Sequence, residues 1–282
     1  MTTKLTGSAD RLEVGGWAAS SNVWNPGGYR NGKDFTQSIA IDEATFPNGT
    51  VISWNWPYDS RRALTYENYP VRAYPELTHG VNPWNDAPST SKVLPARIAD
   101  LPNFDVTYKV GLTGAPHLYN VAVSLWIGDD PKKGIEGVTD EVMVWLHSGY
   151  FTPAGEPVAT LGDAQGKATL WNKPVFSGGV DGNPIDWEYT VLQYGDDRLA
   201  GTLDLDGLLD ELQGRGIVNE TDWILGFQFG AEVAAGAGSM TVEQLAVDFA
   251  APPAPVLTST PAPAPAMVAT PPEPVIAVPP SV

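Results

Sequence analysis

Glu141-Val142-Met143-Val144-Trp145-Leu146 is a run in which aliphatic residues occupy every second position. Side chains on a β-strand alternate between two faces, so the run predicts a strand with Val142, Val144 and Leu146 turned into a core. Glu141, Met143 and Trp145 then share the other face. A second run, Phe227-Gln228-Phe229-Gly230-Ala231-Glu232, reads the same way: Phe227, Phe229 and Ala231 face the core, while Gln228, Gly230 and Glu232 share the opposite side. Two carboxyl groups beside aromatic, polar and small residues on one sheet face are what glycosidic bond cleavage requires. One protonates the leaving oxygen, and the other attacks or activates water.

Outward from these runs, short segments rich in Val, Ile, Tyr, Trp and Phe recur. Clusters such as Asn25-Pro26-Gly27-Gly28, Pro47-Asn48-Gly49, Gly178 to Pro184 and Gly195-Asp196-Asp197 separate them. This spacing predicts an all-β sandwich. One segment has helical period instead. Asp204 to Gly214 places Leu205, Leu208, Leu209 and Leu212 on one face, with Asp204 as N-cap and Gly214-Arg215-Gly216 as the stop.

Composition limits the partners. The net charge is −17, from 33 acidic and 16 basic residues, so a phosphate backbone would be repelled and no nucleic-acid partner is expected. A neutral polymer suits the chain better, and ten tryptophans and ten tyrosines supply flat faces for sugar rings. The absence of cysteine excludes disulfides and thiol catalysis. His79, His117 and His147 form no ligand motif and are read as surface or loop residues, and Asp-rich pieces such as Gly128-Asp129-Asp130 lack the ligand series of a calcium loop. No metal and no cofactor are expected.

From Ala251 to Val282 the chain turns into Pro, Ala, Val and Thr, with 11 prolines in 32 residues. The expectation is a globular catalytic domain over 1–250 followed by a disordered Pro/Ala-rich tail or linker over 251–282. No N-terminal signal peptide is visible, and no segment approaches the roughly 20 apolar residues of a membrane span. A monomer with no membrane partner is expected. Because a polysaccharide substrate lies outside the cell, the expected location is extracellular.

The motifs together resemble glycoside hydrolase family 12, endoglucanases and xyloglucanases built as a β-jelly-roll, over about Val23 to Phe249. Glu141 to Trp145 resembles the family's nucleophile strand, and Phe227 to Glu232 its acid/base strand. Asn22-Val23-Trp24 resembles the N-terminal substrate-stacking segment, Ser53-Trp54-Asn55-Trp56 and Val71-Arg72-Ala73-Tyr74 the next two strands, and Asn120-Val121-Ala122 the strand before the nucleophile. The resemblance implies a two-sheet β-jelly-roll sandwich with a concave substrate cleft and one short helix. It also implies a retaining endo-β-1,4-glucanase acting on cellulose-like or mixed-linkage β-glucan, with Glu141 as nucleophile and Glu232 as acid/base about 5 to 5.5 Å apart. Trp24, Trp54, Trp56, Asn120, Met143, Trp145 and Gln228 are the expected substrate-binding residues. At 124 the family usually has an aspartate that bonds to the nucleophile, whereas this chain has Ser124, which supplies a hydroxyl without a second charge. The alternatives are a xyloglucan-specific endoglucanase and a non-catalytic carbohydrate-binding sandwich, the latter favoured by Ser124.

Overall fold

The alternation around Glu141 extends along most of the chain. In order, the strands are β1 (Thr2–Leu5), β2 (Arg11–Val14), β3 (Trp17–Ser20), β4 (Thr36–Asp42), β5 (Thr50–Trp56), β6 (Glu76–Gly80), β7 (Ala96–Arg97) and β8 (Asp105–Gly114). They continue as β9 (Val121–Gly128), β10 (Val138–His147), β11 (Glu156–Asp163), β12 (Gly166–Val180), β13 (Asn183–Tyr194), β14 (Ala200–Asp204), β15 (Trp223–Gly230) and β16 (Gly236–Asp248). The computed structural model describes residues 1–58, 71–85, 87–101, 103–163, 166–180 and 183–249. The expected tail from 251 lies outside the described residues.

Two sheets result, as expected of a jelly roll. The smaller has the order β1-β4-β5-β16-β8-β14, and the larger has β11-β12-β13-β10-β9-β15-β6-β3-β2, with β7 paired to β15. Between them lies the main core. Ile39, Ile41, Ile52, Val106, Val110, Met240 and Val242 of the smaller sheet meet Leu77, Val123, Leu125, Val142, Val144, Phe227 and Phe229 of the larger. Burying each such side chain stabilises the fold by about 1.5–3 kcal/mol, which fixes which face of each strand turns inward.

The helix α1 (Leu205–Gly214) forms where its period predicted. The Asp204 side chain accepts a hydrogen bond from the Gly207 backbone N–H at 2.7 Å, and Leu205, Leu208, Leu209 and Leu212 are buried. Among the described residues no helix is long and apolar enough to cross a membrane.

Some expectations are corrected. Val71 to Tyr74 is not a strand; only Ala73 bridges, to Val233. Its backbone is shared instead: Arg72 N–H donates to Val233, Tyr74 N–H donates to Asn22, and the Arg72 carbonyl accepts from Asn25 N–H. Divided between several partners, it joins no ladder. Gly178, Gly179 and Val180 belong to β12 rather than to a turn.

Trp54 and Trp56, expected to bind substrate, lie on β5 of the smaller sheet and are core residues, 4% and 1% exposed. Trp56 stacks on Phe35 at 3.6 Å with Arg72 on hand at 5.8 Å, and Trp54 packs edge-on to Tyr119 at 4.8 Å. With so little of either ring accessible, neither offers a sugar a stacking face of useful area.

Candidate active site

The larger sheet has a second face, turned away from the core, and adjacent strands fix its rows. Trp126 on β9 lies opposite Glu141 on β10 and Gly226 on β15; Ser124 lies opposite Met143 and Gln228; Ala122 lies opposite Trp145 and Gly230. On β6, Thr78 and Glu76 extend the last two rows. Although it faces away from the core, this surface has its own buried cluster containing Met143, Trp145, Trp126, Trp187 and Tyr189. Side chains there are enclosed because they pack on one another and on the strands and loops around them.

Glu141 receives two donors. Ser124 Oγ approaches Oε1 at 3.2 Å, and Trp187 Nε1 donates to Oε2 at 3.2 Å. The indole N–H can only donate, so this environment favours the carboxylate. Glu232 was expected to end a strand, but β15 stops at Gly230 and Glu232 lies just beyond. Asn120 holds it there. The Asn120 N–H donates to the Glu232 carbonyl and Asn120 Oδ1 accepts the Glu232 N–H, both at 3.0 Å, while Asn120 Nδ2 donates to the Glu232 carboxylate.

Each glutamate keeps an intermediate share of its surface open, so a ligand can reach it. Protein nevertheless surrounds both closely. Burial raises the Glu141 carboxyl above the usual range, aided by the charge of Glu232 and opposed by Ser124 and Trp187. Burial likewise raises Glu232, opposed by Asn120. Two buried carboxyls that repel one another ionise in sequence, and with two donors at Glu141 the first negative charge is best placed there. Such an arrangement can offer one carboxylate and one acid at the same pH.

The other expected residues divide. Trp24 is 45% exposed, and its neighbour Asn25 is pinned by Nδ2 donating to the Val71 carbonyl at 2.8 Å. Ser124 and Asn120 each reach a glutamate. Gln228 reaches neither; it accepts from Trp126 Nε1 at 2.8 Å and lies 3.5 Å from Glu76 Oε1. Met143 and Trp145, 2% and 0% exposed, form the packed floor beneath the surface rather than a wall a sugar can touch. His147, read as a surface or loop residue, is instead buried at the end of β10, 2.8 Å from Asp197 and 2.7 Å from the Pro116 carbonyl. Among the described residues no group of three His, Asp or Glu is placed to hold a metal.

Sequence reasoning missed Glu76 and Trp187. Glu76 is fully buried; Asn82 Nδ2 donates to its Oε1 at 2.9 Å, and burial pushes its carboxyl to about 8 against the hydrogen bonds of Asn22 and Asn82. Burial holds the Tyr74 phenol well above its ordinary value, followed by the charges of Glu76, Glu232 and Glu141, so three carboxyls gather around one ring. The signal for Glu76 was legible: it alternates with Leu77, which faces the core, as Glu141 alternates with Val142. Gly178 makes room for Trp187, because a Cβ there would collide with the indole. A groove of about 570 Å³ lined by Lys4, Thr6, Asn31, Thr36 and Trp54 belongs to the smaller sheet and holds no pair of acids.

The Glycosyl hydrolase family 12 model matches residues 15–250. Endoglucanase S of Pectobacterium parmentieri is 27% identical over 250 residues, covering 85% of each chain. Among solved structures, the fold is shared with a family 12 xyloglucanase from Bacillus licheniformis, at TM-score 0.73 and 19% identity over 88% of this chain and 100% of that one. It is also shared with endoglucanase cel12A from Rhodothermus marinus, at TM-score 0.65 and 21% identity over 87% and 99%.

Proposed function

Because this chain belongs to glycosyl hydrolase family 12, a family of endoglucanases and xyloglucanases, we propose that it is an endo-β-1,4-glucanase cleaving cellulose-like or mixed-linkage β-glucan with retention of configuration. The observation that carries the reading is the electrostatic pairing of two partly accessible glutamates, Glu141 with two donors and Glu232 gripped by Asn120. Glu232, protonated, gives its proton to the glycosidic oxygen as the Glu141 carboxylate attacks the anomeric carbon. The C–O bond breaks, the leaving chain departs as an alcohol, and a glycosyl ester forms on Glu141. Water then gives a proton to Glu232 and attacks the same carbon, releasing Glu141 as carboxylate. Burial raises both carboxyls, so the pair holds one proton between them in the working form; Glu232 carries it, and the two donors at Glu141 place the negative charge on the nucleophile.

Residues 1–250 constitute the catalytic domain in this reading, acting as a monomer on polysaccharide outside the cell, and the tail is dispensable. Truncation after Ala250 is expected to leave the melting temperature within about 2 °C and activity on soluble glucan unchanged. Differential scanning fluorimetry checks this.

The function is tested by reducing-end release from carboxymethyl cellulose, barley β-glucan and xyloglucan, with the anomer first formed followed by NMR. The expected result is release from the first two and initial appearance of the β-anomer. Activity confined to xyloglucan would make the chain a xyloglucanase, α-anomer would exclude double displacement, and binding without release would make it a carbohydrate-binding sandwich.

Ser124 supports the charge on Glu141 by hydrogen bonding to its ionised form. Its removal in Ser124→Ala should raise the Glu141 pKa, moving the acidic limb of the kcat/KM profile to higher pH and lowering the plateau about 3- to 10-fold. A limb that stays in place would exclude a functional bond between the two side chains.

A further inference from the structure

Trp84 follows β6 in a loop and is 37% exposed, an unusual state for the largest apolar side chain. Its ring is nonetheless fixed. It meets Trp126 edge-on at 5.6 Å and Trp187 edge-on at 5.7 Å, and those two meet each other at 5.8 Å. Trp187 is the same residue whose N–H donates to Glu141.

The loop is also fixed from beneath. The Trp84 backbone N–H donates to Asn82 Oδ1 at 3.0 Å, and the other end of that amide donates to Glu76 Oε1 at 2.9 Å. Asn82 is 8% exposed and Glu76 is fully buried, so the backbone that carries the Trp84 indole is anchored through two buried polar residues. A tryptophan serving only as packing has no need of an open flank. One held rigidly, with part of its surface open and packed against the indole that donates to Glu141, offers a preorganised apolar face to the C–H side of a pyranose ring.

We propose that Trp84 is a second sugar platform of the cleft, stacking on a glucosyl unit of the β-glucan chain next to the unit that reacts at Glu141, and that Asn82 and Glu76 are its positioning residues. The proposal rests on the reading of Glu141 as the reacting carboxylate. Its occupant is a neutral β-linked glucose chain, since the platform's neighbours are indoles and amides and the nearby acids would repel an anionic polymer.

The test measures binding separately from catalysis. Cellohexaose is titrated calorimetrically into Glu141→Gln and into Glu141→Gln/Trp84→Ala, and kcat and KM on barley β-glucan are measured for Trp84→Ala, Trp84→Phe and Asn82→Ala. The expected result is about a tenfold rise in Kd and in KM for Trp84→Ala. Trp84→Phe should recover most of it, and Asn82→Ala should raise KM with kcat nearly unchanged. In the unmodified protein, saturating cellohexaose should also protect Trp84 from oxidation by N-bromosuccinimide, read by peptide mass spectrometry. An unchanged Kd in the double variant, or oxidation of Trp84 at the same rate with and without the hexamer, would overturn the proposal. Persistent turnover in Glu141→Gln would instead overturn the catalytic reading while the Kd comparison still reported on Trp84. If the parent does not bind cellohexaose, both fall.

Discussion

Glu141→Gln is expected to reduce turnover of β-glucan by about 10⁴-fold or more while leaving the affinity for cellohexaose within about threefold. The amide is nearly the size of the carboxyl, so aromatic stacking and the cleft's shape persist, but it cannot form the glycosyl ester. Trp187 Nε1 can still donate to the amide oxygen, so the fold around position 141 is kept, which an unchanged cellohexaose affinity checks. Glu232→Ala should behave differently. On a substrate whose leaving group needs no protonation the first step survives, and azide, which requires no general base, should restore turnover and yield a glycosyl azide. Single-turnover kinetics on an activated aryl cellobioside separates the two variants. Wild-type turnover in Glu141→Gln would remove the proposed chemistry altogether.

The second large effect is on stability against pH. The protein is expected to be more stable near pH 5 than near pH 8. Burial raises the carboxyls of Glu141 and Glu232 in the folded state, and pushes Glu76 to about 8 and Asp140 to about 7. Unfolded, they ionise close to pH 4 to 4.5. Between those limits the native state holds protons that the unfolded state has released, so unfolding becomes easier as pH rises. Glu76 can be changed without breaking a hydrogen bond to either reacting carboxyl, since it is coupled to Glu141 through charge alone. Glu76→Gln keeps the size of the side chain and an acceptor for Asn82. The variant is therefore expected to gain on the order of 3 kcal/mol at pH 8, roughly 5–10 °C in Tm, with little change at pH 4.5. Melting curves at half-unit intervals give the slope directly. An identical slope in the variant would mean that Glu76 is already ionised in the folded protein.

Much of this was legible in one dimension. The two-residue period around Glu141 and Phe227 determined which side chains share a face, and the Leu spacing after Asp204 determined the helix and its cap. The order of the motifs pointed to the family. These signals survive in sequence because alternation and helical period are local consequences of backbone geometry, repeated within a few residues.

What the period could not say is which of two faces another part of the chain covers. Trp24, Trp54 and Trp56 were all expected as sugar platforms, Trp24 with loop-like flanks, and of the three only Trp24 remains exposed, because β5 was placed in the smaller sheet with Trp54 and Trp56 turned into the interlayer core. The environment of the acids is likewise tertiary. Trp187 reaches Glu141 across 46 residues, Asn120 reaches Glu232 across 112, and Gln228 approaches Glu76 across 152. Sequence singled out Glu141 and Glu232 as the candidate acids; their hydrogen bonds, their raised pKa values and the third carboxyl beside them exist only once both sheets have closed. The physical reason is that burial and electrostatic coupling depend on distance through space, whereas the patterns that sequence records depend on distance along the chain.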